Sequence, residues 1–370
     1  MFKHAMSLIS CYSGLVSNSK KTKKNDPISS FAAELYTDCG NLYLILGQQK
    51  ERLLELYEKA LFTNKENFGI ISLPVAISMH KVAKIKKSSK IEESLKIFEE
   101  ALHITRQSSG VGHPFTSIII HQIGSLYFRQ CEFSKALEKY QESLLIKKEN
   151  YQNDHPVIAV TLSQISITLE HMGRYDEALI KAKEAFDIFK KNNDDPLNIS
   201  ILINLIGKLY NHLKQYDQAL MHFEEALTLR KEIYGDIHPD VANAMYSIAT
   251  TYKYMKKYQQ ALDTFEEALT ISRLNDNSEF TNTAEILDAI GRLYHDIGNN
   301  EEALLKHEEA LSIKIAYFGK NHLSAANAMN GIGDVYISLN RIEEGISLYR
   351  QGLTIQKKFY GEGHPYVLKT

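Results

Sequence analysis

Small and aliphatic side chains recur along this chain with a fixed long period. A small residue followed by an aliphatic one returns at intervals of 42, 41, 42, 42 and 42 residues, at Ala136, Ala178, Ala219, Ala261, Ala303 and Gly345. A second small residue follows each of them by seven positions, at Ser143, Ala185, Ala226, Ala268, Ala310 and Gly352. Residues seven apart share one face of an α-helix. The period therefore predicts a stack of helical modules that bury this face on their neighbours.

Each module is predicted to contain two amphipathic helices. In residues 239–280, apolar side chains first repeat every three or four positions, a polar turn follows at Lys256 and Lys257, and a second helix carries the paired small residues. The apolar positions of this specimen are Met245, Ile248, Ala249, Tyr252, Ala261, Leu262, Phe265, Ala268, Leu269 and Ile271. Six clear modules of this kind and two weaker ones upstream predict about eight helical hairpins.

A small residue lies in the middle of each first helix. Glycine inside a helix costs about 0.5 to 1 kcal/mol relative to alanine. It nevertheless recurs at one module position, at Gly124, Gly207, Gly291 and Gly333, with Ser166 and Ala249 as the equivalents elsewhere. We expect this position to allow the second helix to approach closely.

The linkers between modules often contain a His-Pro pair. It occurs at His113-Pro114, His155-Pro156, His238-Pro239 and His364-Pro365, but equivalent places hold Asp195-Pro196, Phe280-Thr281 and His322-Leu323. Proline is favoured at the first position of a helix because its missing N–H is not needed there. Since the pair changes while the spacing persists, we predict a structural linker whose length matters more than its imidazole, and not a catalytic or metal site.

Together these features resemble the tetratricopeptide repeat. The small-aliphatic pair follows the helical glycine by twelve residues, and an aromatic residue follows that glycine by three, as Tyr127 follows Gly124. The usual repeat is about 34 residues, and the longer period here is similar to the subtype of kinesin light chains and nephrocystin-like proteins. The resemblance covers roughly residues 31–370. It implies an all-α, right-handed superhelical solenoid of about eight hairpins.

Two features of the resembled proteins are absent from this chain. It contains no tryptophan, although the repeat family places one in the first helix. No heptad pattern runs for several heptads before residue 100, whereas a kinesin light chain uses such a segment to join its heavy chain. A motor subunit is therefore not the favoured interpretation.

Composition places the chain in the cytoplasm. Residues 1–30 are rich in Ser and Lys and are predicted to be a disordered tail, with the repeat array at 31–370. The three cysteines, Cys11, Cys39 and Cys131, form no CxxC pair, which argues against a disulfide framework or a thiolate zinc site. No stretch approaches the 18 apolar residues of a membrane span. The net charge of −2 gives no general attraction to nucleic acid.

No catalytic, nucleotide-binding or metal-binding motif stands out. Gly331-Ile332-Gly333 is a partial dinucleotide fingerprint, but it lies inside a predicted helix and lacks a third glycine. We expect no enzymatic activity and no cofactor.

The resemblance implies a protein-interaction scaffold or adaptor that binds a partner peptide in a concave groove lined by the first helices. By position, the predicted peptide-binding residues are His121, Arg129, His171, Asn204, Lys208, Asn211, His212, Asn243, Tyr246, Lys253, Tyr254, Arg292 and Asn330. Asparagines both donate and accept hydrogen bonds, so they suit a peptide backbone.

The charge of the predicted groove changes along the chain. An acidic part of the ligand is expected near Lys208 and Lys253. Further on the lining becomes acidic, with Glu285, Asp288, Asp296 and Asp334. This change of sign predicts a ligand that binds in one direction.

Two alternatives to a general adaptor stay open at this stage: a cargo adaptor of the kinesin light chain kind, and the regulatory array of a larger enzyme. The last hairpin carries no predicted capping helix. Tyr349, Leu353 and Ile355 are therefore expected to be partly exposed, which allows self-association at that end.

Overall fold

The computed structural model describes residues 32–38, 40–41, 50–87, 90–274 and 280–360. Every regular element in these ranges is a helix, and they contain no β-strand. Residues 32–38 and 40–41 are helical and precede the first helix whose bounds are defined. The predicted all-α class is confirmed. The predicted tail at residues 1–30 lies outside the described residues.

The chain divides into two units, Met1–Asn192 and Asn193–Thr370. In the first unit, α1 packs on α2, and the hairpins α2–α3, α4–α5 and α6–α7 pack in sequence order. Its helices are α1 Lys50–Phe68, α2 Leu73–Lys86, α3 Ile91–Ser109, α4 Pro114–Arg129, α5 Phe133–Asn150, α6 Pro156–His171 and α7 Tyr175–Lys191.

The second unit contains four complete hairpins, α8–α9, α10–α11, α12–α13 and α14–α15, each packed on the next. Their bounds are α8 Pro196–His212, α9 Tyr216–Tyr234, α10 Pro239–Tyr254, α11 Tyr258–Leu274, α12 Phe280–Ile297, α13 Asn300–Phe318, α14 Leu323–Ser338 and α15 Ile342–Tyr360. The boundaries predicted for residues 239–280 agree with α10 and α11.

Histidine caps the N-terminus of the first helix in four hairpins. The Nδ1 atoms of His113, His155, His238 and His322 accept the backbone N–H two residues on, at 3.1 to 3.2 Å. Asp195 makes the equivalent bond through Oδ1 at 3.0 Å. The first N–H groups of a helix have no intrahelical partner, so each bond satisfies one of them.

The imidazole therefore has a structural role that the sequence did not predict, as a helix cap, and Asp195 takes that role where histidine is replaced. His322 caps its helix although leucine replaces the following proline, so the capping group is kept where the proline is not. The ring also stacks on the end of the preceding helix, with His238 3.9 Å from Tyr234 and His322 4.3 Å from Phe318, measured between ring centroids. The side chain thus fixes both helices that meet at the linker.

Six of the hairpins in the described ranges have a left-handed residue in the turn between their two helices. Backbone φ is positive at one recurring position, at Cys131 (59°), Gly173 (74°), Lys214 (60°), Lys256 (59°), Gly298 (91°) and Asn340 (62°). Glycine adopts this conformation without strain and asparagine tolerates it, whereas other residues pay roughly 1 to 2 kcal/mol. The turns at Cys131, Lys214 and Lys256 therefore contain a conformational cost that their sequence does not relieve.

The small residue of the first helix makes room for a ring on the second helix. A Cβ atom built on Gly207 would lie 2.7 Å from the Phe223 ring, and one on Gly291 would lie 2.8 Å from the His307 ring. Both distances are too short for a real side chain. The predicted close approach at these glycines is confirmed. At Gly333 the same atom would lie 3.3 Å from the nearest neighbour, so this site tolerates a methyl group better.

A buried ion cluster replaces the usual aromatic contact in the hairpin α12–α13. His307 occupies the position of Phe223 and Phe265, and its Nδ1 donates to Asp288 Oδ1 at 3.0 Å. Lys314 Nζ bonds the other carboxylate oxygen. Burial opposes ionisation of Asp288, but the hydrogen bond from His307 and the charge of Lys314 outweigh it and hold the pKa of this carboxyl below its ordinary value.

One expectation about the last hairpin was wrong. Ile355 was predicted to be partly exposed, but only 9% of its surface is accessible, and it packs with Ala326 and Met329 in a small cluster. Tyr349 and Leu353 are partly exposed, as predicted.

Substitution of the packed glycine is predicted to destabilise the chain. Gly291→Leu should lower the free energy of unfolding by about 1 to 3 kcal/mol because the added side chain meets the His307 ring. Gly333→Ala should change it by less than about 1 kcal/mol, because the better helix propensity of alanine offsets a tight 3.3 Å contact with the Gly345 carbonyl oxygen. Urea denaturation followed by circular dichroism tests both. An unchanged midpoint for Gly291→Leu contradicts the packing argument.

The left-handed turn position offers a stabilising substitution. Lys256→Gly removes the strain of a side chain at positive φ and should raise the free energy of unfolding by about 0.5 to 1 kcal/mol, after the greater freedom of glycine in the unfolded chain is allowed for. Gly298→Ala, at the equivalent turn, should lower it by a similar amount. Thermal melts of the two variants should shift in opposite directions, and shifts of the same sign would refute this account.

Removal of Asp288 should leave Lys314 buried without a counter-charge. We expect Asp288→Ala to cost about 3 to 5 kcal/mol at neutral pH. Because the carboxyl pKa lies below its ordinary 3.8 in the folded chain, its contribution is present above about pH 4 and is lost as pH falls through the lowered value. The wild-type advantage in urea denaturation should therefore shrink near pH 3.

The matched control for the ion cluster replaces all three charged or polar groups together. Asp288→Leu, His307→Phe and Lys314→Met in one chain should restore most of the lost stability, because buried ion clusters are often no better than apolar packing. A triple variant as unstable as Asp288→Ala would contradict this explanation.

Candidate functional site

The second unit contains a cleft formed by the first helices of two successive hairpins. It encloses about 300 Å³. α8 and α10 supply most of its lining, and the loop before α9 and α9 itself supply the rest. The lining residues are Lys208, Asn211, His212, Lys214, Tyr216, Phe223, Tyr246, Ser247, Thr250 and Tyr254.

Five of the predicted peptide-binding residues meet in this cleft. They are Lys208, Asn211, His212, Tyr246 and Tyr254. Helical periodicity places residues of each first helix on the side away from the packing stripe, and the stacking of hairpins then brings two such sets together. The sequence positions therefore predicted a set of residues that are neighbours in space.

Aromatic rings and amides define the interior of the cleft. Tyr216 and Tyr254 stack with ring centroids 6.1 Å apart. Tyr246 meets the edge of Phe265, and burial raises the pKa of its hydroxyl above the ordinary value while the charge of nearby Arg292 opposes that rise. Asn211 Nδ2 donates to Thr251 Oγ1 at 2.8 Å. The site thus combines apolar ring faces with fixed polar groups, as ligand clefts commonly do.

Two polar groups of the cleft, one on Asn211 and one on Lys208, lack a partner among the described residues. Asn211 Oδ1 has no hydrogen-bond partner among the described residues, although it is buried. Lys208 is exposed and forms no ion pair within the described part of the chain. A buried carbonyl oxygen without a donor is uncommon in a folded protein.

The other predicted residues of the second unit do not line this cleft, and two of them, Asn204 and Asn330, contact other residues of the chain. Ser247 Oγ donates to Asn204 Oδ1 at 3.4 Å. Asn330 packs on the last hairpin, where a Cβ atom on Gly352 would lie 2.5 Å from its Oδ1. Asn243 is half-buried, and Arg292 is exposed beside Tyr246.

Lys253 was expected to face an acidic part of the ligand together with Lys208. The structure corrects this for Lys253, whose Nζ lies 2.9 Å from Asp296 Oδ2. The pair joins α10 to α12, so the charge of Lys253 is already compensated within the chain.

The acidic part of the predicted groove needs a similar correction. Asp288 is only 4% exposed and belongs to the ion cluster with His307 and Lys314, so it does not line a groove. Asp296 pairs with Lys253, and Asp334 accepts a hydrogen bond from the Tyr349 hydroxyl. The expected change from a basic to an acidic lining is therefore much weaker than the sequence indicated.

The remaining predicted residues belong to the first unit. His121 packs on Tyr140 with ring centroids 5.0 Å apart. His171 stacks on Phe133 at 5.1 Å. Arg129 Nη1 donates to the backbone oxygen of Lys87.

Five residues that line the cleft were not predicted: Lys214, Tyr216, Phe223, Ser247 and Thr250. Lys214 and Tyr216 flank the start of α9, and Phe223 is the ring that packs on Gly207. Lys214 lies one 42-residue period before Lys256, in the kind of polar turn that the sequence predicted, but that turn was not expected to line a cleft. Nothing in the pattern distinguished Ser247 and Thr250 from ordinary helix residues.

Two other kinds of functional element are absent from the described residues. They contain no group of three or more His, Cys, Asp or Glu side chains that could hold a metal ion. None of the helices within them is both long and apolar enough to cross a lipid bilayer.

Solved structures with a similar fold come from several repeat proteins. Aspartyl phosphate phosphatase F from Bacillus subtilis is 12% identical, with a TM-score of 0.63 over 97% of this chain and 91% of that chain. A Rap protein in complex with Competence and Sporulation Factor is also 12% identical, with a TM-score of 0.55 over 97% and 99% of the two chains. At this identity the similarity establishes the fold alone.

A kinesin light chain repeat protein from Podosopora anserina is 16% identical and covers 55% of this chain and 97% of its own, with a TM-score of 0.49. That similarity is too weak to support a relation to motor proteins. No curated protein matches the sequence significantly.

A family model for the tetratricopeptide repeat matches residues 74–149, 119–191, 198–273 and 282–358. The matches cover well over half of the chain and coincide with the hairpins α2–α3 to α14–α15. The chain therefore belongs to the tetratricopeptide repeat family.

Proposed function

We propose that this chain is a non-enzymatic, cytoplasmic interaction scaffold, and that the cleft of the second unit binds an extended segment of a partner protein. The observation that carries the proposal is the convergence of Lys208, Asn211 and Tyr254 from two hairpins on one cleft of about 300 Å³. That volume lies at the small end of ligand sites. It fits a few side chains of a peptide better than a large cofactor.

The chemistry of the cleft suits a peptide with both apolar and acidic side chains. The stacked rings of Tyr216 and Tyr254 offer flat surfaces on which an aliphatic, proline or aromatic side chain can pack. Lys208 offers a positive charge that forms no ion pair with any described carboxylate. Asn211 Oδ1 lacks a donor, and a peptide N–H would supply one.

The repeat fold supports the same interpretation. Repeat arrays present side chains of successive modules along a continuous surface, which suits extended ligands. One structure of similar fold is a complex with Competence and Sporulation Factor, so this architecture is known with a bound factor. The kinesin-type cargo role has no support beyond the repeat length, and no observation favours a regulatory array of an enzyme.

The test begins with selection of peptide ligands on the whole chain from a random library. Binding of the best fluorescein-labelled peptide is then measured by fluorescence anisotropy. We expect Lys208→Glu and Tyr254→Ala each to weaken binding by about tenfold or more, equivalent to about 1.4 kcal/mol. Both side chains are exposed, so the fold should persist.

Matched controls are available in the same unit. Lys320→Glu makes the same charge change at an exposed loop, and Tyr317→Ala removes a tyrosine that is 56% exposed, against 52% for Tyr254. These variants should bind within about twofold of wild type. Selected peptides that bind equally well to the cleft variants and the wild type would refute the proposed site.

A further inference from the structure

A second group of cations lies in the first unit and takes no part in the proposed cleft. Lys84 and Lys87 stand at the end of α2, and Arg129 ends α4, the first helix of the next hairpin. His80 and His121 lie on the same two helices. We call these five residues the α2–α4 cationic cluster.

Lys84, Lys87 and Arg129 have no carboxylate partner among the described residues. Lys87 Nζ donates to two neutral groups, Ser125 Oγ at 2.6 Å and Gln122 Oε1 at 3.2 Å. Arg129 Nη1 donates to the Lys87 backbone oxygen, and Lys84 is exposed. None of the three forms an ion pair within the described residues, whereas the adjacent Lys86 pairs with Glu93 at 2.7 Å.

The charges that shift the pKa values of Lys87, His80 and His121 are all positive. Burial, followed by the charges of Arg129 and Lys84, lowers the pKa of Lys87 to about 8. Burial and neighbouring lysines lower the pKa of His80 to about 4, and burial with the charges of Lys147 and Lys87 lowers that of His121 to about 3. Every charged group that shifts these three side chains is itself a cation.

At the equivalent module position of the second unit, the lysine has an internal counter-charge. Lys253 follows the buried Ala249 by four residues, and its partner Asp296 follows Gly291 of the next hairpin by five. Lys87 likewise follows the buried Ala83 by four, and Arg129 follows Gly124 of the next hairpin by five. An arginine therefore stands in the first unit where an aspartate compensates the lysine in the second.

The α2–α4 cationic cluster also contains two buried ring nitrogens that lack hydrogen-bond partners among the described residues. His80 Nε2 and His121 Nδ1 are buried and have no hydrogen-bond partner among the described residues. Either ring nitrogen of a neutral imidazole can carry the proton and donate it to an oxygen. A carboxylate placed among these groups would receive hydrogen bonds from cations and from imidazole together.

We propose that the α2–α4 cationic cluster binds an acidic stretch of a partner polypeptide, one that presents consecutive Asp or Glu side chains. The positive groups are spread over two neighbouring hairpins, which suits a row of carboxylates better than a single small anion. This site is separate from the cleft of the second unit, and neither proposal depends on the other.

The experiment uses the whole chain and fluorescein-labelled octa-glutamate as the probe, with labelled octa-glutamine as the uncharged reference. We expect anisotropy to show binding of octa-glutamate alone, weaker at about 200 mM than at about 50 mM salt because the interaction is screened. The double variant Lys84→Glu, Arg129→Glu should weaken binding by about tenfold or more.

The control variant makes the same change in net charge elsewhere in the first unit. Lys50→Glu with Lys96→Glu reverses two exposed lysines of α1 and α3 and should change affinity less than about threefold. If both double variants weaken the probe equally, the attraction is general and the proposal fails. It also fails if wild type does not bind octa-glutamate at low salt.

Three further arms keep the result interpretable. Circular dichroism checks the fold, and Arg129→Gln with Lys84→Gln replaces the reversed charges if they unfold the chain. Competition with small anions separates a peptide site from a phosphate site. We expect inorganic phosphate and acetate to displace the probe at about the same concentration, which supports the peptide site. Displacement by phosphate at about a hundredfold lower concentration would indicate a small-anion site and overturn the proposal. Lys208→Glu should leave octa-glutamate affinity within about twofold, so the two sites succeed or fail separately.

Discussion

The close packing of the two helices of a hairpin, across a small residue of the first helix, is the contact on which the rest of this structure depends. Gly207 under the Phe223 ring and Gly291 under the His307 ring let the two helix backbones approach closely, whereas the hairpin α6–α7 has the buried Ser166 and Ala182 at these positions. The side chains that line the cleft come largely from such first helices, so this buried contact holds the backbone that presents them. The exposed positions of such a surface repeat with the same period as the buried ones, while the side chains at the exposed positions differ from module to module.

Helix ends contribute the second constraint. His238 and His322 cap one helix while stacking on the preceding one, so the linker is held at both sides. The left-handed turn residue of six described hairpins recurs with the same period as the buried small residues. Because these two local features repeat with the period of the core, the length of the module is fixed by local backbone chemistry as well as by packing.

Periodicity was sufficient to predict the helices and their pairing. It predicted that Lys208, Asn211 and Tyr254 share a surface, because one spacing rule decides which side every first helix exposes. It could not predict how polar groups of different hairpins pair. Lys253 with Asp296 and Asp288 with His307 are contacts between residues 43 and 19 positions apart, and no helical period relates their charges. The helix caps formed by histidine could not be predicted from the period either. The imidazole reaches the backbone N–H two residues on only when its own backbone has the right conformation, and the sequence does not show that conformation.

Internal pairing decides which polar residues of a repeat surface are available to a ligand. A lysine that meets an aspartate on the next hairpin, as Lys253 does, has exchanged water for a fixed counter-charge and gains little from a new partner. A lysine that meets an arginine, as Lys87 does, has lost water without such compensation. Desolvation of like charges raises the free energy of the unliganded state, and an incoming carboxylate lowers it again. The modules of this array share one backbone structure. A module whose cations have no internal counter-charge is therefore the one that indicates the charge of the partner.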